Sequence, residues 1–183
     1  MPRNWDEHYS DPANLDFTPA PLLVEAAGML RPGRALDIAC GYGRNALYLA
    51  SLGWQVTAVD RSAVAIRLLR ERSGSAAVDA RQADLERGEF PIAAGAYDLV
   101  CDFFYLQRDL FPSIREGVRL GGVFLGAIHL REGEGAPGRR NPMFQMDPGE
   151  LRREFAGWKI LFYSEGAEPG KTRRAARIIA RRA

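Results

Sequence analysis

The chain has 183 residues, of which 46% are hydrophobic and 26% are charged, and its formal net charge is +2 at pH 7. This size and composition predict one globular domain over residues 1–183, in which a leading segment (1–18) precedes the core (19–183). The small charge does not by itself indicate a nucleic-acid partner, and no apolar run reaches the roughly 20 residues that span a membrane. The polar first 16 residues and the two cysteines favour a cytoplasmic protein without a disulfide framework.

The predicted elements alternate between strand and helix five times before two strands follow each other. In the leading segment, Trp5, His8 and Tyr9 lie close together, which suggests that the segment packs on another part of the chain. The predicted strands span 34–39, 54–60, 76–80, 97–105, 123–128, 158–165 and 173–181. The predicted helices span 18–30, 46–50, 62–72, 108–119 and 148–155, the last with Asp147 as its N-cap.

This order of elements predicts an α/β fold. We expect a Rossmann-like, doubly wound sheet of seven strands, mostly parallel with a late antiparallel strand, and helices on both faces. Ligands of such sheets bind at the carboxyl ends of the strands. Five chemically useful side chains follow or end predicted strands: Asp37, Asp60, Asp84, Cys101 and His129.

A glycine loop between the first core strand and the next helix is the strongest motif. Gly41, Gly43 and Ala46 fit the dinucleotide fingerprint G-x-G-x-x-G/A, in which glycines bring backbone N–H groups close to a ligand. Asp37 precedes the loop, and its carboxylate would repel a pyrophosphate but attract a cation. S-adenosylmethionine (SAM) carries an ammonium and a sulfonium, so Asp37 favours SAM over NAD. In the alternative interpretation, Asp37 only accepts N–H groups of the turn.

Two further acids extend the predicted cofactor site. Asp60 follows Gly43 by 17 residues, near the roughly 20-residue spacing at which an acid accepts the ribose hydroxyls. Asp84 is placed to accept from the adenine amino group while Leu85 packs on the ring. Asp60 can instead cap the next helix, and Asp84 can instead be a turn residue without a role in binding. Neighbouring residues complete the predicted cofactor contacts: Arg44, Asn45, Arg61 and Cys101.

These motifs together resemble class I SAM-dependent methyltransferases over nearly the whole chain. The stretches that carry the resemblance are DIACGYG (37–43), VD (59–60), AD (83–84), YDLV (97–100), GG (121–122) and the closing strand pair. Within that superfamily, three stretches resemble the small tellurite-resistance methyltransferases: WDEHY (5–9), GRNALYLA (43–50), and ELRR (150–153) with Gly157-Trp158. The resemblance implies SAM as cofactor and S-adenosylhomocysteine as product.

The same resemblance implies roles for residues near both ends of the chain. In that family the N-terminal aromatic segment closes over the cofactor, which makes Tyr9 a candidate contact. Those enzymes also carry a His-Arg pair before the last strand, where this chain has only Arg173 and no histidine. This departure weakens the expectation of a tellurite or selenite substrate.

The acceptor side is less defined by sequence. His129 is the candidate base or substrate hydrogen-bond partner, because imidazole titrates near neutral pH; it can instead tie down a loop. The aromatic residues after the fourth strand lack the proline motif of base-modifying DNA methyltransferases. Residues 139–141 lie in a glycine-rich loop, where they can bind an anion or remain solvated. The predicted substrate contacts are Phe104, Tyr105, Arg139, Asn141 and Arg173.

The sequence therefore predicts an enzyme that moves a methyl group from SAM to a small soft or anionic nucleophile. The alternatives are a non-catalytic SAM-binding protein, an NAD-dependent oxidoreductase, and an RNA methyltransferase that uses the basic C-terminal strand. For that strand we favour a structural role, with one charged face protecting a sheet edge. Cys40 and Cys101 can hold a soft metalloid, although buried thiols are more often small core residues. We expect no metal site, no membrane contact, and a monomer or homodimer.

Overall fold

The structure is a computed structural model, and it describes residues 4–131, 141–167 and 173–183. The chain divides into two compact units, Met1–Ile92 and Ala93–Ala183. Seven strands form one mixed sheet in the order β3-β2-β1-β4-β5-β7-β6. The predicted Rossmann-like fold class is confirmed. Among the helices in the described part of the chain, none combines the length and hydropathy needed to cross a bilayer.

The first unit contains three parallel strands, with β2 hydrogen-bonded to both β1 and β3. The strands are β1 (Arg34–Ile38), β2 (Gln55–Asp60) and β3 (Val78–Gln82). The helices are α1 (Trp5–Ser10), α2 (Pro21–Ala27), α3 (Arg44–Ser51) and α4 (Ala63–Ser73). Residues 35–38 of β1 are all buried, which explains why this strand has a continuous apolar sequence interrupted only by Asp37.

The second unit contains a parallel pair, β4 and β5, and the antiparallel strand β7 between β5 and β6. The strands are β4 (Tyr97–Phe103), β5 (Val118–His129), β6 (Lys159–Ala167) and β7 (Arg174–Arg181), and the helices are α5 (Phe111–Gly117) and α6 (Glu150–Glu154). Phe124 and Phe155 stack at 4.2 Å between ring centroids, and both are fully buried. This aromatic pair anchors the end of α6 on the core of the unit.

Three predictions about the elements of this unit were wrong. The C-terminal strand β7 does not protect a sheet edge, because β5 and β6 flank it and its residues 175, 176 and 178–180 are buried. The helix predicted over 108–119 ends at Gly117, since Val118 already pairs with Tyr97 in the sheet. Asp147 is not the N-cap of the next helix: Gly149, at φ +76°, takes that position and starts α6 three residues later than Asp147.

The first unit departs from prediction at helix α2. The Thr18-Pro19 pair predicted the helix start, but α2 begins at Pro21, with Ala20 as its N-cap. The side chain of Asn45 accepts the backbone N–H of Ala20 at 2.9 Å and holds this start in place. The observed start therefore depends on a contact between residues 25 positions apart, which local sequence patterns do not contain.

Candidate functional site

The glycine loop joins β1 to α3 with three residues in the left-handed backbone region. Ala39, Gly41 and Gly43 have φ values of +48°, +56° and +83°. A Cβ atom on Gly43 would lie 2.2 Å from Leu69 Cδ1 of α4, so only glycine fits there. Gly43 is also the N-cap of α3, and its N–H donates to the Cys40 carbonyl at 3.0 Å. The loop thus leads directly into the N-terminus of α3, whereas contact of its N–H groups with a ligand stays a prediction.

Asp37 lies one residue before the end of β1 and is only 1% exposed. The backbone N–H of Ala46 donates to its carboxylate, but its Oδ2 atom has no hydrogen-bond partner among the described residues. Burial raises the pKa of Asp37 to about 7, while the positive charge of Arg44 opposes the shift. Burying a hydrogen-bond acceptor without a donor is energetically unfavourable, and a cationic ligand that donates a hydrogen bond to Oδ2 would remove this cost.

Asp60 is the last residue of β2, and its carboxylate holds the glycine loop. The backbone N–H groups of Gly41 and Ser62 each donate to one of its oxygens at 2.8 Å. Burial raises the pKa of Asp60, and these two hydrogen bonds oppose that shift. Each carboxylate oxygen can accept a second hydrogen bond, so the local role leaves acceptor capacity for ligand hydroxyls. Its predicted contact with ribose stays a prediction.

Asp84 and Leu85 follow β3 in a short turn. Asp84 is the N-cap of a 3₁₀ helix, Leu85–Arg87, and accepts the N–H of Glu86 at 3.0 Å, which agrees with the alternative of a local role in the turn. Leu85 is buried. A cavity of about 420 Å³ opens beside this turn, and Trp5, Asp6, Arg61, Ser62, Gln82 and Asp84 are among the residues that line it. Arg61 and Asp84 thus line one cavity together with the leading segment.

The leading segment is attached to α4 by Asp6, a residue that the sequence analysis missed. The Asp6 carboxylate accepts the Ser62 hydroxyl at 2.5 Å and the Val64 N–H at 3.2 Å. The hydrogen bond from the Ser62 hydroxyl makes the largest contribution to lowering the pKa of Asp6, and the hydrogen bond from the Val64 N–H lowers it further. Ser62 also caps α4 through the N–H of Ala65. An acid at a helix N-terminus is electrostatically favoured, but this contact joins residues 56 positions apart, so no local sequence pattern indicated it.

Tyr9, on the last turn of α1, lies on the glycine loop. Its hydroxyl oxygen would be 2.9 Å from a Cβ atom at Gly41, so the absence of a side chain at Gly41 makes room for it. Its ring contacts Tyr42 edge to face at 5.6 Å and stacks on Trp5 at 5.6 Å between centroids. The prediction that the aromatic segment packs on another part of the chain is confirmed, whereas its contact with a cofactor stays a prediction.

Arg44 and Asn45 point toward residues 16–20 rather than standing alone in the loop. Arg44 donates to the Thr18 carbonyl at 3.2 Å, and Asn45 accepts from Ala20. Tyr42 adds a further tie, since its hydroxyl both donates to the Asp16 carbonyl and accepts the Asp16 N–H at 2.7 Å. These side chains fix the polypeptide that precedes β1. Their predicted cofactor contacts remain untested.

The thiols of Cys40, which is half-buried, and Cys101, which is buried, are poorly suited to metalloid binding. Burial, and then the charges of Asp37 and Asp60, raise the pKa of the Cys40 thiol well above its ordinary value. Cys101 is buried two residues before the end of β4. A raised pKa disfavours the thiolate that would bind a soft metalloid, so we do not pursue that alternative.

The carboxyl ends of β4 and β5 carry the predicted acceptor-side residues of the second unit. His129 ends β5, and its imidazole stacks on the Phe104 ring at 4.6 Å between centroids with an interplanar angle of 24°. Asp102 is 1% exposed, and one of its carboxylate oxygens accepts the Tyr105 N–H at 3.3 Å. The Tyr105 hydroxyl donates to Gln107 at 2.7 Å. The structure therefore brings Phe104 and His129 together, which no sequence motif indicated.

The remaining predicted substrate residues are separate from this stacked pair. Arg139 lies outside the described residues. Asn141 is exposed and accepts the Met143 N–H at 3.0 Å as the N-cap of a 3₁₀ helix, Pro142–Phe144. Arg173 is exposed just before β7. Their substrate roles stay predictions.

Comparison with solved structures defines the class of fold. The crystal structure of TehB from Haemophilus influenzae superposes with a TM-score of 0.79 over 98% of this chain and 67% of that chain, at 23% identity. A SAM-dependent methyltransferase from Methanosarcina mazei superposes with a TM-score of 0.70 over 90% of this chain and 98% of that chain, at 16% identity. The chain thus has the Rossmann-like fold seen in methyltransferase structures.

Sequence comparison then gives the family. The family model "Tellurite resistance protein TehB" matches residues 3–179, and the chain belongs to this family. A probable SAM-dependent methyltransferase TehB from Haemophilus influenzae is 29% identical over 157 residues, which cover 78% of this chain and 52% of the relative. The malonyl-(acyl-carrier protein) O-methyltransferase of Pseudescherichia vulneris is 33% identical over 122 residues, which cover 64% of this chain and 47% of the relative. The chain spans about half the length of these curated relatives.

Proposed function

We propose that the chain is a SAM-dependent methyltransferase that acts on a small soft or anionic nucleophile, such as a thiol or a chalcogen oxyanion. The observation that carries the proposal is the unpartnered Oδ2 of Asp37, buried beside the glycine loop. A pyrophosphate would bring more negative charge to this carboxylate, whereas the α-ammonium of SAM would donate to it. Membership of the TehB family supports the same cofactor.

Each predicted cofactor residue of the first unit has a distinct task in this proposal. Asp37 accepts the ammonium, and the loop N–H groups at the start of α3 bind the carboxylate of the same ligand. Asp60 keeps the loop in place through Gly41 and accepts ribose hydroxyls with its remaining lone pairs. Arg61, Asp84 and Leu85 serve the adenine ring. When bound, SAM supplies a methyl group on a positively charged sulfur that leaves as a neutral thioether.

Helix α1 excludes water from the glycine loop. Tyr9 covers Gly41, while Asp6 fixes α1 to the N-terminus of α4. A dry site strengthens the pairing between Asp37 and a cation, and it protects a sulfonium from hydrolysis. This role agrees with the expectation that the leading segment closes over the cofactor.

The acceptor is assigned to the carboxyl ends of β4 and β5, since ligands of open α/β sheets bind at strand carboxyl ends. His129 hydrogen-bonds the acceptor or removes its proton, and Phe104 and Tyr105 flank it. Cys101 remains a proposed cofactor contact, and Arg139, Asn141 and Arg173 remain proposed substrate contacts. The malonyl-(acyl-carrier protein) O-methyltransferase relative indicates that methyl acceptors differ among similar proteins. The proposal of a soft or anionic acceptor therefore rests on the resemblance to the tellurite-resistance methyltransferases and on the acceptor-side residues named above.

The RNA methyltransferase alternative receives little support from the C-terminal arginines. Arg177 donates to the Gly166 carbonyl at 3.2 Å, and Arg182 donates to the carbonyls of Glu116 and Val118 at 3.0 and 2.5 Å. These guanidinium groups bind the protein's own backbone. A small-molecule acceptor fits better, and the two free thiols support a cytoplasmic location.

Calorimetry tests the cofactor. We expect SAM and S-adenosylhomocysteine to bind and NAD not to bind; tight NAD binding without SAM binding would contradict the proposal. Asp60→Ala should weaken SAM binding at least tenfold, about 1.4 kcal/mol, because the loop loses its anchor and the ribose its acceptor. Asp79→Ala is the matched control, since Asp79 is an exposed acid on β3. Measured turnover on thiols, selenite and tellurite then identifies the acceptor. RNA binding that weakens as the salt concentration rises would instead support the RNA methyltransferase alternative.

A further inference from the structure

Phe104 has a backbone conformation that a bulky side chain rarely adopts. Its φ is +66°, and in the described part of the chain only one other non-glycine residue, Ala39, has a positive φ. Such a conformation is strained for a side chain with a Cβ atom and persists only where its surroundings enforce it. Here the Phe104 N–H donates to the Ala127 carbonyl at 2.7 Å, and Asp102 accepts the N–H of Tyr105 directly after it. Both sides of the turn are therefore fixed.

Core packing does not account for the phenyl ring at this position. The Phe104 residue is 41% exposed, so it gains less from burial than a core phenylalanine would. A glycine would accept the same φ without strain. The ring makes one described aromatic contact, its stack on the imidazole of His129. The strained backbone of Phe104 therefore places its ring against His129, the residue that contacts the methyl acceptor in the proposed function.

Stacking constrains the imidazole in a particular way. At 4.6 Å and 24°, the phenyl ring covers one face of the imidazole, which restricts rotation of the His129 side chain. Hydrogen bonding takes place at the edge of an imidazole, where its two nitrogens lie, and stacking leaves that edge unchanged. Because β4 and β5 run parallel, Phe104 and His129 lie at the carboxyl ends of neighbouring strands, where a ligand is expected.

We propose that Phe104 is a positioning residue, held in a strained backbone conformation so that its ring orients the His129 imidazole toward the methyl acceptor. This inference rests on the proposed function, which gives His129 its role. It predicts that the side chain of Phe104 lowers stability and raises turnover, and that its effect on turnover passes through His129.

Stability provides a test that needs no acceptor. Phe162 is the matched control, because it is 39% exposed and lies in strand β6 without a positive φ, although the pairing of β6 with β7 shifts register between Ile160 and Phe162. We expect Phe104→Gly to leave the melting temperature unchanged or higher, since strain is relieved, while Phe162→Gly lowers it. A larger fall for Phe104→Gly than for Phe162→Gly would overturn the proposal, because the ring would then be a structural residue.

The histidine itself can be observed directly. The chain has two histidines, His8 and His129, so the imidazole signals in an NMR spectrum are assigned with one His129→Asn variant. Phe104→Leu should shift the His129 ring protons by removing the ring current of the phenyl group, and Phe162→Leu should not. Unchanged His129 signals in Phe104→Leu would mean that the stack is absent in solution, and the proposal would fall.

Kinetics tests the coupling on whichever panel acceptor the protein methylates. We expect Phe104→Leu to lower kcat at least tenfold with less than a threefold change in KM for SAM, Phe104→Tyr to retain at least half of kcat, and Phe162→Leu to match the wild type. In a His129→Asn background, Phe104→Leu should lower kcat less than twofold further. If the effects of Phe104→Leu and His129→Asn on kcat simply multiplied, Phe104 would not act through His129 and the proposal would be wrong. If the wild-type protein did not bind SAM, the proposed function would be refuted instead.

Discussion

The strand ends of the two units are built by different physical means. In the first unit, the buried carboxylate of Asp60 accepts the Gly41 N–H of the glycine loop, and that of Asp37 accepts the Ala46 N–H in helix α3. In the second unit, the partly exposed phenyl ring of Phe104 stacks on His129 at the end of a strained turn. The first arrangement is preorganised for a charged ligand by desolvated acids. In the second arrangement, hydrogen bonds to Ala127 and Asp102 fix a strained backbone torsion, and this turn carries the aromatic contact.

The difference shows where stability is given up for function in each unit. In the first unit the unfavourable feature is a charge without a partner, which a bound cation would neutralise. In the second unit it is local strain, which a ligand would leave in place. The first unit should therefore become markedly more stable when its ligand binds, and its stability should depend on pH. Three substitutions test this contrast.

The largest expected effect comes from Gly43→Ala, which tests whether the loop geometry is obligatory. The new Cβ atom would lie 2.2 Å from Leu69 Cδ1, at a φ of +83°. We expect the free energy of unfolding to fall by about 2–4 kcal/mol, measured by urea denaturation. Gly28→Ala is the control, because a Cβ atom at Gly28 meets nothing within 4 Å and φ there is ordinary. An equal effect of both substitutions would show that the loop is not sterically fixed.

Asp37→Asn tests whether the first unit carries an unfavourable charge. Above pH 7 the wild-type carboxylate is ionised and buried, whereas below about pH 3 it is largely neutral in both the folded and the unfolded state. The stability contributed by the raised pKa is present below the unfolded value of 3.8 and is lost as the pH rises through about 7. Asp37→Asn should thus raise the free energy of unfolding by about 1–3 kcal/mol at pH 8 and hardly at all at about pH 3.

The same substitution should have the opposite effect on ligand binding. Without the carboxylate, SAM affinity should fall at least thirtyfold, about 2 kcal/mol, as measured by calorimetry at pH 8. Asp79→Asn, at an exposed acid of β3, should change neither stability nor affinity appreciably. If Asp37→Asn destabilised the protein at pH 8, the carboxylate would be a stabilising cap of the turn, which is the alternative interpretation.

Asp6→Asn should have the smallest effect and tests how α1 is attached. The variant loses the charge that faces the N-terminus of α4 and weakens the hydrogen bond from Ser62. We expect SAM to dissociate about two to five times faster, as for a modest loss of a partly exposed interaction, and the amides of α1 to exchange faster with solvent. Glu7→Gln, a neighbouring exposed acid, is the control. If SAM dissociated at equal rates from Asp6→Asn and Glu7→Gln, the attachment of α1 by Asp6 would have no part in retaining SAM.

The fold was largely predictable because its signals are local. Apolar runs such as 35–38 and 56–60 become buried strands, and Gly41 and Gly43 supply torsions that other residues avoid. These features depend on residue type and near neighbours. The order of elements then restricts the sheet to a small number of arrangements, which is why the sequence predicts seven strands with a late antiparallel member.

The features that were missed depend on contacts distant in sequence or on a single torsion. Gly149 rather than Asp147 caps α6 because of its positive φ, and two strands cover β7, whose arginines suggested an edge. The stacking of Phe104 on His129 joins residues from two strands, and the bond from Ser62 to Asp6 spans 56 positions. Residue type alone indicated that His129 was chemically capable, but not which residue it contacts.

The ties of Arg44 and Asn45 have a consequence for transferring this loop to another protein. Both side chains hold residues 18 and 20, and Tyr42 holds residue 16, each about 25 positions upstream. A graft of residues 37–46 alone would therefore lose the polypeptide that keeps the loop and the start of α3 in register. The transferable module is the discontinuous pair of residues 16–20 and 37–46, and chimeras that exchange them together should keep a working loop where single exchanges do not.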